Sequence, residues 1–289
     1  MRPISTTAAC LALSLAFSPA AIAGKEGDTR IYGTLDTATT VGTNTTVSSG
    51  ALTDANTDIG VVRGGSVSGS ARVITSVASN VTRASDLESD AATRIGSIYD
   101  SRLAGNVSLI TLVGDTQTRA SGIGADAVTE IGVVRNSTLG GDFDQVVFVG
   151  GNQTVARKSG SDARTEIGVI RNSTMDGDIT RSIRVLDAST VSQSYFADAV
   201  TRIGTVRDAE VTGDFDQSIY IGEVVTVARH VNKTALTCVG TIRYGAHEDA
   251  PSSNISSIRS RTRSGSIGPI STGSLGASSA RNRIDSRGC

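Results

Sequence analysis

The chain of 289 residues has a formal net charge of −1, no Trp, five Phe, five Tyr, two His and 32 Gly. A charge so close to zero gives no general attraction to nucleic acid or to an anionic membrane, and the scarcity of aromatic residues argues against a thick globular core. Abundant Val, Thr and Ile favour strands, so we expect a thin and repetitive β-structure.

The first segment has the features of a secretory signal. Arg2 precedes an apolar run from Ala8 to Phe17, and small residues at Ala21 and Ala23 form a pattern that signal peptidase cleaves. The run is shorter than the roughly 20 apolar residues that a membrane span needs. We therefore predict a signal peptide over residues 1–23, a short segment over 24–30, and a secreted, extracellular or cell-surface protein without a membrane span.

An internal repeat occupies residues 31–246. Its most regular element is an Ile-Gly pair, Val-Gly in the last copy, which recurs every 36 residues without insertion or deletion. Ala and Thr lie four and two residues before each pair, and this period of two predicts a strand with one buried face. The predicted core ladder is Ile59, Ile95, Ile131, Ile167, Ile203 and Val239. The charged residues between, predicted on the solvent face, are Asp58, Arg94, Glu130, Glu166 and Arg202.

The rest of each repeat contains further strand signals. Leu139 and Gly141 indicate a corner, after which Phe143 and Val147 alternate inward, and Thr154 to Ala156 is a less regular strand candidate. Strands of four to seven residues with a strict period predict an all-β fold, a β-solenoid built from six 36-residue repeats. Val-Gly pairs also recur half a repeat later, so one wide coil and two coils of 18 residues both remain open.

The motifs of the repeat resemble a known class of proteins. Ile-Gly-x-Val followed by Asn-Ser-Thr, at residues 131–138, and Gly-Asp-Phe-Asp-Gln, at residues 141–145, are similar to the repeats of secreted bacterial β-helix proteins. That class includes haemagglutinin-type adhesins and extracellular fibre subunits. The resemblance covers residues 31–246 and concerns architecture. It implies a stalk, an adhesin or a polymer, and it carries over no catalytic residue.

Charged residues form three rows along the repeat. The rows are Asp54, Asp90, Asp126, Asp162 and Asp198; Arg63, Arg135, Arg171, Arg207 and Arg243, with Tyr99 in the exceptional place; and Asp142, Asp178 and Asp214. Carboxylates at turns are ligands for calcium, but Asp at a corner also bonds its own backbone and pairs with Arg. We favour the second interpretation, because the Gly-Gly-x-Gly-x-Asp nonapeptide of calcium-binding repeats is absent from the sequence.

The sequence offers little for catalysis. His230 and His247 lie in the last part of the chain, and neither has a nucleophile or a metal-ligand partner at a recognisable spacing. In solenoid enzymes the site interrupts the repeat, whereas the carboxylates here follow it. We therefore predict no catalytic, cofactor-binding or metal site and no enzyme activity.

The composition changes to Ser, Gly and Arg near the end of the chain, so that residues 247–289 are predicted to form a basic tail. Within the tail, residues 267–275 repeat the Ile-Gly strand out of register. We predict that this segment, with Ile267, Ile270 and Leu275, is an assembly strand that pairs with a solenoid edge of its own chain or of a neighbour.

Two cysteines remain once Cys10 leaves with the signal peptide. An exported protein with two cysteines favours one disulfide, so Cys238 and Cys289 are predicted to be joined, within one subunit or between two. Cys238 lies at an outward position of its strand, where we expect it to be accessible to the tail.

These features lead to two functional hypotheses. The first is a secreted structural protein, the subunit of an extracellular fibre or matrix, whose partner is a further copy of itself. The repeat starts at Ile31 and stops near residue 246 at the same point of the coil, and open solenoid ends expose unpaired strand edges, so copies are expected to join head to tail. The alternative is a monomeric surface adhesin that binds surface glycans or other surfaces along one solenoid face.

Overall fold

A computed structural model describes residues 29–193, 198–228, 234–243, 252–264 and 272–275. These residues form strands and turns, with no helix among them, and hence no helix that could cross a bilayer. The first strand begins at Thr29, two residues before the predicted start of the repeat. The predicted signal peptide lies outside the described residues.

The strands follow one another in a fixed order of lengths. In the first three turns they are β1 (Thr29–Ile31), β2 (Leu35–Ser49), β3 (Ala55–Ile59), β4 (Val62–Arg63), β5 (Gly65–Val67), β6 (Ala71–Ser85), β7 (Ala91–Ile95), β8 (Ile98–Tyr99), β9 (Arg102–Leu103), β10 (Val107–Ala120), β11 (Ala127–Ile131) and β12 (Val134–Arg135). The remaining strands are β13 (Thr138–Leu139), β14 (Phe143–Arg157), β15 (Ala163–Ile167), β16 (Ile170–Arg171), β17 (Thr174–Met175), β18 (Ile179–Gln193), β19 (Ala199–Ile203), β20 (Val206–Arg207), β21 (Glu210–Val211), β22 (Phe215–Ala228), β23 (Ala235–Val239), β24 (Ile242–Arg243), β25 (Ser252–Ser264) and β26 (Thr272–Leu275).

Each turn of the chain adds one strand to each of four sheets. Sheet A contains β1, β5, β9, β13, β17 and β21; sheet B contains β2, β6, β10, β14, β18, β22, β25 and β26; sheet C contains β3, β7, β11, β15, β19 and β23; sheet D contains β4, β8, β12, β16, β20 and β24. From β1 to β24 the pairs are parallel and join residues 36 apart, such as Ile131 with Ile167 and Arg135 with Arg171. The predicted β-solenoid is thus confirmed, and one turn contains 36 residues rather than 18.

The strands of sheet B are longer than the sequence predicts. Phe143–Arg157 is one strand of 15 residues that includes the segment predicted as a separate strand at Thr154 to Ala156. The inward alternation slips by one residue at Gly150 and Gly151, so that Val149 and Asn152 are both buried. A Cβ on Gly150 would lie 2.6 Å from the carbonyl oxygen of the strand below, which is why glycine suits this bend.

The core lies between sheet B on one side and sheets A, C and D on the other. The Ile-Gly ladder packs against valines of sheet B, such as Val147 and Val149, and its six members are all buried. A second cluster joins Phe143 and Leu139 with inward residues of sheet D. Where sheet B turns into sheet C the cluster consists of alanines only, such as Ala127. The core side chains at that edge are therefore small.

In each turn between residues 60 and 208, two residues with a positive φ shape the edge where the chain passes from sheet C through sheet D to sheet A. The glycine of each Ile-Gly pair has a positive φ, 62° at Gly132, and a Cβ there would lie 2.7 Å from Cγ2 of Val147. A second positive φ follows the arginine row, where residues tolerant of this conformation recur. They are Gly64, Asp100, Asn136, Asn172 and Asp208. The chain therefore bends sharply on both sides of each short strand of sheet D.

The solenoid continues beyond the predicted boundary at residue 246. Strand β25, in the predicted tail, extends sheet B in parallel with β22, mostly 36 residues apart, with irregular register between Ile219 and Val224. Strand β26 then pairs antiparallel with β25, so that Leu275 lies opposite Ile258 of the same chain. The count of Ile-Gly pairs does not detect β25, in which Arg alternates with Ser and Thr from Arg259 to Ser264. Ile267 and Ile270 lie outside the described residues.

Candidate functional site

The outer side of the Ile-Gly corner is concave. Glu130 and Glu166 occupy outward positions of sheet C, yet their side chains are only 4% and 0% exposed. The bend at the glycine turns sheet D toward them, and Val133, the residue after Gly132, is completely buried in the angle. The prediction that these two glutamates lie on the solvent face is therefore wrong, because alternation along a strand gives the direction of a side chain and not the shape of the surface.

Ion pairs fill this concave corner. Arg171 Nη2 lies 3.1 Å from an oxygen of Glu130 and 3.3 Å from one of Glu166. Arg202 Nη1 lies 3.1 Å from Glu166 Oε1, and Arg164 donates to the same oxygen. Burial acts to raise the pKa of Glu166, but Arg164 and Arg171 outweigh it and lower the pKa. Glu166 is therefore a buried carboxylate that its arginine neighbours keep ionised.

Tyr99 replaces arginine in one turn without interrupting the row. Its Oη donates to Glu130 Oε2 at 2.6 Å, and its ring lies 5.3 Å from the guanidinium of Arg63 and 5.0 Å from that of Arg135. These are cation–π distances. Burial and the neighbouring Glu130 carboxylate raise the pKa of Tyr99, so its hydroxyl remains a donor at physiological pH.

Arginines outnumber carboxylates in the corner. We call the arginine stripe the group of Arg63, Arg94, Arg135, Arg164, Arg171, Arg202 and Arg207. Their ion-pair partners among the described residues are Asp58, Glu130, Glu166 and Asp208. Asp100, at the same repeat position as Asp208, accepts a hydrogen bond from Asn136 and adds a fifth carboxylate. Seven guanidinium groups against these five carboxylates leave a formal excess of two positive charges.

The aspartate row that begins at Asp54 serves the backbone. In each turn Oδ1 accepts a hydrogen bond from the backbone N–H of the residue 36 positions later, as from Asp126 to Asp90 at 2.8 Å. Within the described ranges, these aspartates bond to the backbone of the next turn and not, as predicted, to their own, and the arginines pair instead with Asp58, Asp208 and the glutamates. Burial and the aspartates above and below raise the pKa of Asp126. No group of three or more metal-binding side chains occurs in the described part of the chain.

A chain of threonine hydroxyls runs through the interior, alternating between sheets B and C. Its members are Thr46, Thr57, Thr82, Thr93, Thr118, Thr129, Thr154, Thr165, Thr190, Thr201, Thr226 and Thr237. The Oγ1–Oγ1 distances are 2.7–2.9 Å. Nine of the eleven bonds point toward the N-terminal end. In the other two bonds, Thr57 and Thr129 have already donated their single hydroxyl hydrogen, so they must accept from Thr82 and Thr154. All eleven hydrogen bonds therefore point in one direction along the solenoid axis.

The outer face of sheet B carries apolar side chains at its centre. Leu112, Val146 and Tyr220 are 39%, 41% and 39% exposed. The guanidinium of Arg184 lies 6.0 Å from the ring of Phe148 and 5.1 Å from that of Tyr220. These residues form a flat amphipathic surface on the side of the solenoid opposite to sheets C and D.

The two ends of the solenoid differ. At the N-terminal end, inward residues such as Leu35, Val41 and Val62 are only partly buried. At the C-terminal end, β26 covers Ile258 to Arg261 of β25. Residues 272–275 of the segment predicted as an assembly strand thus pair with β25 of the same chain, and a role in assembly stays a prediction.

Cys238 is in register with Arg202 at an outward position of sheet C, but it is completely buried. Its predicted accessibility to the tail stays a prediction. Cys289, His230 and His247 lie outside the described residues, and the disulfide stays a prediction.

The parallel sheets and the 36-residue turn define this protein as a β-solenoid repeat protein. Comparison with models of protein families, with curated proteins and with solved structures finds no match for this chain. The fold class accordingly rests on the strand pairing itself.

Proposed function

We propose that this protein is a secreted structural protein whose copies assemble head to tail into an extracellular fibre or matrix. The observation that carries the proposal is the open N-terminal end, where β2, β3 and β4 each have one edge that pairs with no described strand and inward Leu35, Val41 and Val62 remain partly exposed. Unpaired edges with apolar side chains favour pairing with another chain. Secretion rests on the signal predicted over residues 1–23.

The C-terminal end offers complementary edges. Sheets C and D end at β23 and β24, on which β3 and β4 of a second copy would continue the 36-residue register. The threonine chain supports this polarity, because Thr57 of that copy would follow Thr237 in sheet C. In sheet B, however, β25 and β26 occupy the place that β2 of the second copy would take. Head-to-tail assembly therefore requires residues 252–275 to leave this edge.

Deletion of residues 252–289 tests the proposal. We expect the shortened chain to form filaments, seen by light scattering and negative-stain microscopy, at concentrations where the full chain assembles slowly. The control is the same deletion with Val41→Asp, which places a charge at the open N-terminal end and is expected to block assembly. The proposal fails if the shortened chain is folded, as judged by circular dichroism, and remains monomeric at high concentration.

A second function, adhesion through one solenoid face, is favoured by the outer face of sheet B. Tyr220 and Phe148 flank Arg184 there. A surface of aromatic and basic side chains suits a surface glycan, since aromatic rings offer an apolar face and the tyrosine hydroxyl adds a polar group. Glycan-array binding that is lost in Tyr220→Ser and retained in Tyr32→Ser, which changes another exposed tyrosine, would support it. Binding that survives Tyr220→Ser would reject this face.

A further inference from the structure

The excess positive charge of the arginine stripe is concentrated toward its C-terminal half. Three guanidinium groups, those of Arg164, Arg171 and Arg202, share the single carboxylate of Glu166. Among the described residues, Arg207 has only the exposed Asp208 as an ion-pair partner, at 3.9 Å. The chain as a whole has a net charge of −1, so this imbalance is local.

Two arginines of the stripe retain donors for a ligand. Arg135 and Arg207 have side chains 31% and 26% exposed, and their closest carboxylate oxygens, 3.8 and 3.9 Å away, lie beyond hydrogen-bond distance. Neither guanidinium donates a hydrogen bond to any residue within the described ranges. At neutral pH a guanidinium is charged, and it holds five donors in a planar fork that matches a carboxylate or a sulfate.

The spacing of these groups fits an extended ligand. Arg135, Arg171 and Arg207 lie in register on adjacent strands of sheet D, which places them about 4.8 Å apart along the solenoid axis. Asn136 and Asn172 follow the row, and their exposed side-chain amides lie 3.3 Å apart. Guanidinium groups beside amides suit a polymer that carries both acidic groups and hydroxyls.

Burial and the neighbouring guanidinium groups of Arg164 and Arg135 lower the pKa of Arg171, although Glu166 acts in the opposite direction. An anion bound along the row would relieve this repulsion between like charges.

We propose that the arginine stripe binds a linear acidic polysaccharide, one that carries carboxylate or sulfate groups along its length. The inference goes beyond both proposed functions, because the stripe lies on sheets C and D, on the side opposite to the sheet B surface, and it does not depend on head-to-tail assembly. Single-stranded nucleic acid fits less well, because such sites stack bases on exposed aromatic rings, whereas Tyr99, the aromatic residue of this row, is completely buried.

The test uses the full chain and calorimetric titration with polygalacturonate, dextran sulfate, neutral dextran and oligothymidylate. We expect the two acidic polysaccharides to bind, dextran not to bind, and the double variant R135Q/R207Q to weaken binding by about tenfold or more. Neither change strands a buried carboxylate, because Glu130 keeps Arg94 and Arg171. The matched control R72Q/R157Q removes two exposed arginines of sheet B that belong to neither proposed binding surface, and it is expected to bind like the unchanged protein.

Three results would overturn the inference. These are dextran binding as tight as that of dextran sulfate, equal weakening in both double variants, and tighter binding of oligothymidylate than of either polysaccharide. Light scattering of the same samples reports assembly separately. Normal assembly without polysaccharide binding would therefore reject the stripe as a binding site and leave the fibre proposal standing.

Discussion

Arg181 is the largest side chain that is completely buried in the described part of the chain. It lies inside the solenoid, where Nε donates to Gln145 Oε1 at 2.9 Å, Nη1 donates to Gln217 Oε1 at 2.7 Å, and Nη2 donates to the carbonyl of Gly168. All three acceptors are neutral. A buried cation without a carboxylate partner is destabilising, and burial accordingly lowers the pKa of Arg181 to about 9.

Replacing this cation with Arg181→Gln is expected to raise the free energy of unfolding by about 1–4 kcal/mol. A glutamine there would continue the ladder of Gln145 and Gln217 and would still reach the carbonyl of Gly168. Arg181→Leu is the matched control, because it also removes the charge but leaves both glutamine oxygens without a donor. We expect the melting temperature of Arg181→Gln to be higher than that of the unchanged protein and higher than that of Arg181→Leu.

The same substitution makes a prediction about pH. The folded state lowers the pKa of Arg181 to about 9, so the folded protein binds this proton more weakly than the unfolded chain does. Below that pH the buried guanidinium is charged, and its full cost in folding stability is present. It declines as the pH rises above 9 toward the ordinary arginine value. The advantage of Arg181→Gln should therefore be constant near neutral pH and shrink at a pH of about 10.5. An advantage that grows with pH would contradict the account.

Gly132 allows a second test at the residue scale. Gly132 and Gly64 have nearly the same positive φ, 62° and 64°, but a Cβ on Gly132 would lie 2.7 Å from Val147, whereas one on Gly64 would meet nothing within 4 Å. Both alanine variants should incur the cost of a left-handed residue, about 1–2 kcal/mol. Gly132→Ala should lose roughly 1–3 kcal/mol more through overpacking. Equal urea midpoints for the two variants would show that the close contact is unimportant.

The sequence predicts which residues face inward but not how the surface bends. Ile131 and Thr129 are buried as their spacing of two requires, whereas the burial of Glu130 depends on sheet D, whose strands contain only two residues each. A signal for that bend is present in the sequence. Gly132 and Asn136 lie four residues apart, and both are residue types that adopt a positive φ.

At the scale of single elements, the threonine chain allows a test of the interior. Thr129 Oγ1 donates to Thr118 at 2.8 Å and is bonded to Thr154 at 2.7 Å. Thr129→Val keeps the shape but leaves both neighbours short of a partner, so we expect a loss of about 1–3 kcal/mol. Thr129→Ser keeps the hydroxyl and loses one methyl group, at about 0.8 kcal/mol. In chemical denaturation, Thr129→Val should be less stable than Thr129→Ser, and the reverse order would contradict a hydrogen-bonded chain.

Strand boundaries were harder to predict than strand faces. From β2 to β22, sheet B has single strands of 14 or 15 residues. The slip at Gly150 shifts the alternation without ending the backbone pairing, so that a pattern with a period of two predicts two strands there. Strand β25 was missed for a different reason. Its residues are mostly Ser and Arg, and its pairing with β22 depends on the edge that β22 offers rather than on its own apolar pattern.

At the scale of the whole molecule, the coil has one turn per 36 residues, so whole turns are the units that can be removed. Deletion of residues 132–167 joins Ile131 to Gly168 and restores the Ile-Gly corner with one turn fewer. Deletion of residues 132–149 joins Ile131 to Gly150, which also restores an Ile-Gly pair but removes only 18 residues. The second deletion would place half of a sheet B strand against sheet D, so the four sheets could no longer stay in register.

The most direct test of the 36-residue turn is cooperative thermal unfolding of these two deletion variants, followed by circular dichroism. The account predicts that the 36-residue deletion unfolds cooperatively with a native β-sheet spectrum and is shorter by about 4.8 Å in solution scattering. The 18-residue deletion is predicted to lose cooperative unfolding. Two variants that fold equally well, or a folded 18-residue deletion beside an unfolded 36-residue deletion, would contradict it.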